Sequence, residues 1–549
     1  YYFADILRED NNMVYLHVSI LLWFIYYLLI FEVPIDGLKT RNGVINGRKT
    51  QYSNEYLGIQ YAKAGRWKLP VDRSSRKFSN RAFNAKSFGP CCPQVPAGIL
   101  IPIQDEQCLY LNVFTPLKKS KHLVPVLVFI HGGGLASGCS SQGIPLLYNG
   151  TNMIANSPHQ EPVIIVTINY RLGVLGAMYS DELVKENKSK WPTAGNYFYL
   201  DMLSALRWIK KNIRDYGGNN KNVLLFGESS GGLAVVDLGA LKGSNGLYHH
   251  VISQSGDAGN YLFYTNVTDA LALSNQISQQ LNCSNLKCLR HVPIQNLINA
   301  YGPRVTSPII DGYFFPFYPP LAIKHGKYNA NISMILGNNE YEDAVCFESP
   351  NMNSTDAISY LSTNIEPEWL TIVAKHYQLE KCSSNKNSPN RCCNIVRLLL
   401  MDKFYNCPVQ RIYNGLYIKN KHNRKLFWYH LNCNPGICPK LSVEEGRGVC
   451  VHIAELPYVF GTVSAYKSNT LLNCSWDKPT TKFSNEIIAN WIHMATNGRP
   501  LKKWSVYNPM NPKYFQITPY RHFSSVQWKR NCSLFDTIEQ EETSLIFKQ

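Results

Sequence analysis

The chain has 549 residues, of which 45% are hydrophobic and 17% are charged, and its formal net charge is +17. This composition excludes a disordered chain and supplies enough apolar surface for a large core. The basic residues are scattered, and the chain contains neither zinc-finger spacing nor a recognisable nucleic-acid motif. We therefore interpret the positive charge as a solvated surface and expect no nucleic-acid partner, with attraction to polyanions as the alternative.

An apolar run over residues 18–31 (VSILLWFIYYLLIF) lies near the start of the sequence. It is shorter than the roughly 20 residues that cross a bilayer, so it favours a secretory signal over an uncleaved membrane anchor. We predict a leader with a signal peptide over residues 1–34 and a single domain over residues 35–549. The 16 cysteines and several N-x-S/T triplets agree with a secreted protein that matures in an oxidising compartment.

Short apolar runs with strand character alternate with a helical pattern through the rest of the chain. Residues 200–209 have apolar side chains at helical spacing between two of these runs. Such alternation favours a mostly parallel sheet with helices on both faces, within one large α/β domain. The predicted strands are residues 124–130, 163–169, 223–226, 250–254, 334–336 and 426–430.

Two glycine-rich segments each follow a predicted strand. Residues 131–134 (HGGG) offer consecutive backbone N–H groups without intervening side chains, which is what a tetrahedral oxyanion requires. Residues 227–231 (GESSG) place Ser229 in a sharp turn between a strand and a helix, where its hydroxyl is exposed. Taken alone, each segment could be an ordinary glycine turn or a chance match. Together they predict a hydrolytic site at one edge of the sheet.

Five further segments carry a family pattern: residues 56–59 (YLGI), 108–113 (CLYLNV), 167–176 (TINYRLGVLG), 310–312 (IDG) and 455–461 (ELPYVFG). With the two glycine-rich segments, they resemble type-B carboxylesterases, a group that includes carboxylesterases, juvenile hormone esterases and cholinesterases. The resemblance covers roughly residues 40 to 535 in family order. It implies the α/β-hydrolase fold, with a large, mostly parallel mixed sheet. It also implies a serine esterase that acts on a small-molecule ester and needs no cofactor and no metal.

The resemblance also implies the remaining members of a catalytic triad. It places the acid at Glu342, but the local sequence departs from the family pattern, so Glu340 and Asp343 remain as alternatives. It places the base at His452, three residues before Glu455 in a His-x-x-Glu pattern. In such a triad the histidine takes the proton of the serine hydroxyl, and the carboxylate fixes the imidazole tautomer.

The same resemblance assigns the oxyanion site to the backbone N–H groups of Gly133, Gly134 and Ser230. These donors would hold the negative oxygen while an acyl-serine forms and while water then hydrolyses it. Glu228, next to the nucleophile, also matches the family. It is interpreted either as a group that tunes the charge of the site or as a structural hydrogen-bonding residue.

Three disulfides follow by position from the resemblance, with Cys91 as an alternative partner for Cys108. Additional local bridges are plausible among the other cysteines, which include Cys382, Cys392, Cys393, Cys433 and Cys438, but the sequence does not pair them. A zinc site is the competing interpretation, and no ligand set has convincing spacing. The implied pairs are Cys92–Cys108, Cys283–Cys288 and Cys407–Cys532.

Two departures from cholinesterases bear on the substrate. Residues 93–107 contain no aromatic side chain, whereas a quaternary ammonium group requires an aromatic face. Residues 301–308 contain no Phe that would narrow an acyl pocket. We therefore predict a generalist or lipophilic-ester carboxylesterase. The alternatives are a cholinesterase, a lipase and a catalytically inactive binding or adhesion protein. Gln107, Leu135 and Phe198 also differ from the usual family residues and indicate a diverged branch.

Overall fold

The structure is a computed structural model. It describes residues 33–34, 37–78, 82–95, 101, 103–143, 146–157, 161–186, 188–189, 191–256, 258–342, 345–382, 391–419, 425–432, 451–462, 478–501, 503–518 and 524–547. Residues 1–32, which carry the predicted signal or anchor, lie outside these ranges, as do Asp343, Cys433 and Cys438.

A 12-stranded sheet forms the centre of the molecule. In chain order its strands are β1 (Val33–Pro34), β2 (Arg48–Lys49), β3 (Ser53–Gln60), β4 (Tyr110–Pro116), β5 (Val124–Ile130), β6 (Ile164–Ile168), β7 (Gly218–Glu228), β8 (His250–Gln254), β9 (Ser333–Asn339), β10 (Leu426–Leu431), β11 (Lys513–Ile517) and β12 (Ser524–Gln527). These strands cross the sheet in the order β1-β2-β3-β4-β6-β5-β7-β8-β9-β10-β11-β12. The strands from β6 through β11 in that order run parallel, and the remaining pairs are antiparallel. The predicted mixed, mostly parallel sheet is confirmed.

All six predicted strands are present, and two of them, β5 and β8, have the predicted bounds. Strand β7 begins earlier than its apolar run, because Gly218 already pairs with Val124 of β5. Strands β3 and β4 were not predicted, since polar residues interrupt their apolar pattern. These polar residues are buried and hydrogen-bonded. The side-chain oxygen of Asn112 accepts a hydrogen bond from the Gly58 N–H, and the carboxylate of Glu55 accepts one from the Thr151 hydroxyl. Satisfied buried polar groups are tolerated in a core.

The central strands are buried on both faces. Along β5, Val126, Val128 and Ile130 face one hydrophobic cluster, whereas Leu127 and Phe129 face another. Because side chains alternate along a strand, a strand covered on both faces reads as one continuous apolar run. The helices Tyr197–Asn212 and Ser230–Asp237 contribute to the first cluster, and the helices Leu456–Phe460 and Lys478–Asn497 to the second. The predicted helix over residues 200–209 lies within Tyr197–Asn212.

A third hydrophobic cluster lies beside the sheet domain and contains most of the later cysteines. It is formed by helices between residues 345 and 407 together with the start of the C-terminal helix Ser533–Ile546. The structure joins the three pairs that the resemblance implied, and it pairs Cys91 with Cys139, not with Cys108. Two more disulfides hold the third cluster together. The six disulfides of the described residues are Cys91–Cys139, Cys92–Cys108, Cys283–Cys288, Cys346–Cys393, Cys382–Cys392 and Cys407–Cys532.

Helices and short sheets complete the described structure. Short strands pair as Leu38–Thr40 with Gly43–Asn46 and Phe83–Asn84, as Ala62–Lys63 with Val71–Asp72, and as Thr265–Asn266 with Ile309–Ile310. Turns of 3₁₀-helix cover Ile213–Tyr216, Tyr261–Phe263 and Leu379–Lys381, and a π-helical turn covers Asp402–Asn406. The other α-helices are Gly150–Ala155, Gly173–Ala177, Asp181–Glu186, Val267–Gln280, Leu286–His291, Ile294–Tyr301, Pro319–Lys324, Val345–Glu348, Ser354–Leu361, Pro367–His376, Arg391–Met401 and Cys407–Lys419.

Within the ranges that the structure describes, no helix combines the length and the apolar character that a membrane crossing requires.

Candidate active site

The predicted site residues lie at the carboxyl ends of neighbouring parallel strands. Strand β5 leads into the HGGG loop, β7 leads into Ser229, and β9 is followed within three residues by Glu342. Because these ends meet at one edge of the sheet, segments that are more than a hundred residues apart in the sequence become neighbours. His452 reaches the same edge from the segment that precedes the helix Leu456–Phe460.

Ser229 occupies the strained turn that its sequence context predicts. Its backbone has φ 58° and ψ −129°, and it directly precedes the helix Ser230–Asp237. Such a conformation costs about 1 to 3 kcal/mol for a residue with a side chain, so the surroundings must enforce it. They do so by close packing: a Cβ atom on Gly231 would lie 2.1 Å from the carbonyl oxygen of Ile130. The Ser229 N–H donates to the carbonyl of Gln254 at 2.8 Å, which ties the turn to β8.

His452 and Glu342 form a short hydrogen-bonded pair. Nδ1 of His452 lies 2.6 Å from Oε2 of Glu342, whose side chain is fully buried. The other carboxylate oxygen of Glu342 accepts the Ser255 hydroxyl and the Asn339 N–H, each at 2.5 Å. With both oxygens bonded, the carboxylate is held in one orientation and fixes the proton of the ring on Nδ1. The Nε2 atom is then the basic position of the ring.

Glu340 and Asp343 are the two alternatives to Glu342 as the catalytic acid. The side chain of Glu340 has Arg397 as its charged neighbour, and burial raises the pKa of this carboxyl while Arg397 opposes the rise. Arg397 also donates to the backbone carbonyl of Glu340 at 2.8 Å. Asp343 lies outside the described residues. Of the two candidates that can be placed, Glu342 is the one that contacts His452.

A second carboxylate approaches the opposite side of the imidazole. Oε1 of Glu228 lies 3.3 Å from Nε2 of His452, and the Glu228 side chain is 2% exposed. Oε1 of Glu228 has no hydrogen-bond partner among the described residues, so it acts on Nε2 through its charge. The Ser229 hydroxyl likewise makes no hydrogen bond to His452 in the described structure. Catalytic hydrogen bonds of this kind are often absent or long until substrate is bound.

The charge of both carboxylates acts on the imidazole. Burial by itself would lower the pKa of His452, but Glu228 and Glu342 outweigh it and raise that pKa well above its ordinary value. Burial raises the pKa of Glu228 to about 8, and the charge of His452 opposes this rise. Glu228 and His452 therefore compete for one proton, and the occupancy of Nε2 depends on the charge of Glu228.

Four further polar residues support the pair, and sequence reasoning did not assign them a role. Glu455 is buried, and its two oxygens accept the side-chain amides of Gln254 at 3.0 Å and Asn339 at 2.7 Å. Asn339 also donates to Glu342 through its backbone, so it connects the two carboxylates. Ser255 completes the group through its bond to Glu342. For Gln254, Ser255 and Asn339, the signal that could have found them is a polar residue at the carboxyl end of an apolar strand. Glu455 instead directly precedes the helix Leu456–Phe460.

The glycine loop that carries two of the predicted oxyanion donors begins against the nucleophile. A Cβ atom on Gly132 would lie 2.9 Å from Cβ of Ser229, so only a glycine allows this approach. Gly133 and Gly134 have φ of 105° and 63°, and their N–H groups donate to no described residue. The N–H of Ser230 is at the first position of its helix and has no acceptor within the helix. These three N–H groups are free to bind an anionic oxygen next to Ser229.

Contacts at both ends hold the segment of residues 131–138, which we call the oxyanion loop. At its start, the buried His131 ring stacks on Tyr170 with 4.4 Å between ring centroids, and burial lowers the pKa of His131 to about 4. Near its end, the Gly138 N–H donates to the Gln94 side chain at 2.6 Å, and the Gln94 amide donates back to the Gly138 carbonyl at 2.9 Å. The adjacent Cys139 is joined to Cys91. These contacts hold the loop in place before any substrate binds.

A cavity of about 280 Å³ begins at Gly133 and Gly134. Residues 93–95 and 301–305 form parts of its wall. They belong to the two segments whose composition bears on the substrate. The wall is mostly apolar, and Arg304 is the charged residue on it. Over the described parts of the chain, no cluster of three or more His, Cys, Asp or Glu side chains is placed to hold a metal ion.

Comparisons with known proteins agree with this geometry. The sequence model of the carboxylesterase family matches residues 36–534. The chain is 26% identical to a para-nitrobenzyl esterase of Bacillus subtilis over 494 residues, which are 85% of this chain and 92% of that protein. It is also 26% identical to an inactive carboxylesterase-like protein of Byssochlamys spectabilis, covering 85% of this chain and 81% of that protein. A solved structure of a thermophilic PNB esterase aligns with a TM-score of 0.72 at 24% identity and covers 90% of this chain and 97% of that one. The chain therefore belongs to the carboxylesterase family, has the α/β-hydrolase fold, and is a carboxylic ester hydrolase.

Proposed function

We propose that this protein is a secreted serine esterase that hydrolyses small or lipophilic carboxylic esters through an acyl-serine intermediate, with Ser229, His452 and Glu342 as its triad. The observation that carries the proposal is the 2.6 Å pair of His452 and Glu342 at the same sheet edge as the strained Ser229 turn. A serine hydroxyl is a poor nucleophile at neutral pH and requires such a base.

In the first half of the reaction, the Ser229 oxygen attacks the ester carbonyl, and Nε2 of His452 takes the hydroxyl proton. Glu342 stabilises the imidazolium that forms, because its carboxylate is buried and accepts the Nδ1–H group. The same proton then passes from His452 to the leaving alcohol. Water repeats the sequence on the acyl-serine and releases the acid. These transfers require a hydrogen bond between Nε2 and the Ser229 hydroxyl, which substrate binding would favour.

The N–H groups of Gly133, Gly134 and Ser230 receive the developing oxyanion. Their lack of other acceptors in the described structure supports this role. A single donor of this kind contributes about 3 to 4 kcal/mol to lowering the barrier, so three preorganised donors form a large part of the rate enhancement. No step requires a cofactor or a metal.

An ester with a lipophilic acyl chain suits the site better than a choline ester. The cavity next to the oxyanion loop is mostly apolar, and residues 301–308 place no Phe in it. The segment 93–95, which also lines the cavity, offers no aromatic face for a quaternary ammonium group.

Secretion is supported by the cysteines. All twelve cysteines of the described segments are joined in six disulfides, and such bonds form and persist in oxidising compartments. We keep residues 1–34 as the leader and residues 35–549 as one domain, and the family match over residues 36–534 is compatible with this division. Expression of the full chain in eukaryotic cells tests the proposal: the esterase activity should appear in the culture medium.

Labelling with a fluorophosphonate probe tests the mechanism. The full chain should be labelled at Ser229, the Ser229→Ala variant should not be labelled, and Ser204→Ala should be labelled as the wild type is. Ser204 is a suitable control because it is buried and bonds a helix carbonyl away from the site. Unlabelled wild-type protein, or equal labelling of Ser229→Ala, would contradict the proposal and favour a non-catalytic binding protein.

A substrate panel tests the specificity. Purified protein should hydrolyse aryl butyrates with a much higher kcat/KM than acetylthiocholine. Faster turnover of acetylthiocholine would instead identify a cholinesterase.

A further inference from the structure

The mostly apolar cavity next to the oxyanion loop carries one fixed charge. Among the described residues that form its wall, Arg304 alone has a charged side chain. We propose that the enzyme favours esters whose acyl chain ends in a carboxylate, which Arg304 binds on the wall of this cavity. The proposal rests on the esterase function proposed above and names a substrate class for it.

The guanidinium of Arg304 has a defined position on the cavity wall. Its carbon atom lies 5.4 Å from the centre of the Tyr301 ring, which is within reach of a cation–π interaction. One of its nitrogens lies 3.9 Å from the position that a Cβ atom on Gly302 would take. Tyr301 and Gly302 both belong to the same wall. The side chain therefore lies along the cavity wall, on the segment that shapes it.

Arg304 has no acidic partner in the part of the chain that the structure describes. It is exposed, so its N–H groups stay available for a ligand. Asp269 and Arg304 both line a second, smaller cavity, but the two do not form an ion pair. Asp269 instead accepts the Asn266 amide at 3.0 Å. An unneutralised arginine on an apolar wall is suited to bind an anion, because a guanidinium can hold a carboxylate with two parallel hydrogen bonds.

The segment that carries Arg304 is attached to the reacting centre. The Thr306 N–H donates to the carbonyl of Gly134 at 2.8 Å, and Val305 packs against Gly134 at 3.3 Å from its Cβ position. An acyl chain whose carbonyl oxygen binds at Gly133 and Gly134 thus enters a cavity that has Arg304 on its wall. A short methylene chain can span the apolar part and place a terminal carboxylate at the guanidinium. The formal net charge of +17 would also attract anionic esters.

The test compares two esters of the same alcohol and the same acyl length, namely monoethyl adipate and ethyl hexanoate, which differ in a terminal carboxylate. The quantity measured is the ratio of their kcat/KM values, obtained from ethanol release by the purified full chain. We expect Arg304→Gln to lower this ratio by about two- to fivefold, since an exposed charge pair contributes up to about 1 kcal/mol. Arg304→Lys should retain part of the ratio. The loss should shrink at high salt, because salt screens exposed charges.

Arg499→Gln is the matched control, since Arg499 is also exposed and lies outside the cavity wall. For Arg499→Gln, the ratio of the kcat/KM values for the two esters should equal that of the wild type. An unchanged ratio in Arg304→Gln, or an equal fall in Arg499→Gln, would overturn the proposal while leaving the esterase function intact. If the wild type hydrolyses neither ester and a fluorophosphonate fails to label Ser229, the proposed function itself is wrong. A fold check by thermal melting accompanies each variant, and Arg304→Lys decides the question if Arg304→Gln does not fold.

Discussion

Nε2 of His452 lies 3.3 Å from Oε1 of Glu228, a side chain that is 2% exposed. Glu228 directly precedes the nucleophile in the sequence, so the turn that exposes Ser229 also brings a buried carboxylate to the base. The charge of this carboxylate raises the pKa of His452. Each ring nitrogen of His452 therefore lies next to a carboxylate, Glu342 at Nδ1 and Glu228 at Nε2, and both carboxylates raise the pKa of the ring.

Replacing Glu228 by Gln should shift the pH dependence of hydrolysis. The change removes a negative charge that favours the protonated ring, so the pKa of His452 falls. The neutral ring that accepts the serine proton is then present at lower pH. We expect the acidic limb of kcat/KM against pH to move down by about one unit. The profile is measured with an aryl butyrate, and Glu340→Gln is the control. A limb that stays in place or moves up in Glu228→Gln would contradict the prediction.

The identity of the catalytic acid can be decided between Glu340 and Glu342. Glu342→Gln should lower kcat by about 10³-fold or more, because the ring loses the acceptor that fixes its tautomer. Glu340→Gln should change kcat only a few-fold, since that side chain has Arg397 as its charged neighbour and not His452. The measurement is kcat for an aryl butyrate at the pH optimum. A larger loss in Glu340→Gln would show that the assignment is reversed.

Ser255→Ala should lower kcat with little change in KM. The Ser255 hydroxyl donates to the buried Glu342 carboxylate at 2.5 Å, and a hydrogen bond to a charged group contributes about 1.5 to 3 kcal/mol. Loss of this bond frees the carboxylate to turn, so the base is less well oriented in the transition state. Ser204→Ala, which removes a buried hydroxyl away from the site, should leave kcat unchanged. An increase in KM alone would contradict the positioning role of Ser255.

Removing the Cys91–Cys139 disulfide should weaken oxyanion binding. The double change Cys91→Ser with Cys139→Ser releases the loop one residue beyond Gly138, whose backbone Gln94 holds. We expect kcat and the affinity for a trifluoromethyl ketone to fall by about tenfold, which is less than the loss of one oxyanion donor. KM for an aryl butyrate should change less than this.

The matched control removes a disulfide in the third hydrophobic cluster, by changing Cys382 and Cys392 to Ser. Each loss should lower the free energy of unfolding by about 2 to 5 kcal/mol. Only the Cys91 and Cys139 variant should lose affinity for the ketone. Equal losses in the two variants would mean that the Cys91–Cys139 bond stabilises the fold without positioning the loop.

Much of the fold follows from local sequence patterns. The central strands are buried on both faces, so their apolar runs are uninterrupted and β5 and β8 have the predicted bounds. Strands β3 and β4 lie towards one edge of the sheet and contain buried polar residues, and the apolar pattern did not predict them. The nucleophile Ser229 and the HGGG donors could also be predicted from the sequence, because each requires glycines at particular neighbouring positions.

The sequence by itself determined the nucleophile turn and the glycine loop, each placed directly after a strand, because these features depend on residues a few positions apart. The tertiary structure alone decided that Glu342 contacts His452 while Glu340 has Arg397 as its neighbour, and that Cys91 pairs with Cys139. It also placed Glu228 at Nε2 of the base. The physical reason is that side-chain direction, burial and charge at the site depend on how distant strand ends pack together, and no local pattern encodes that packing.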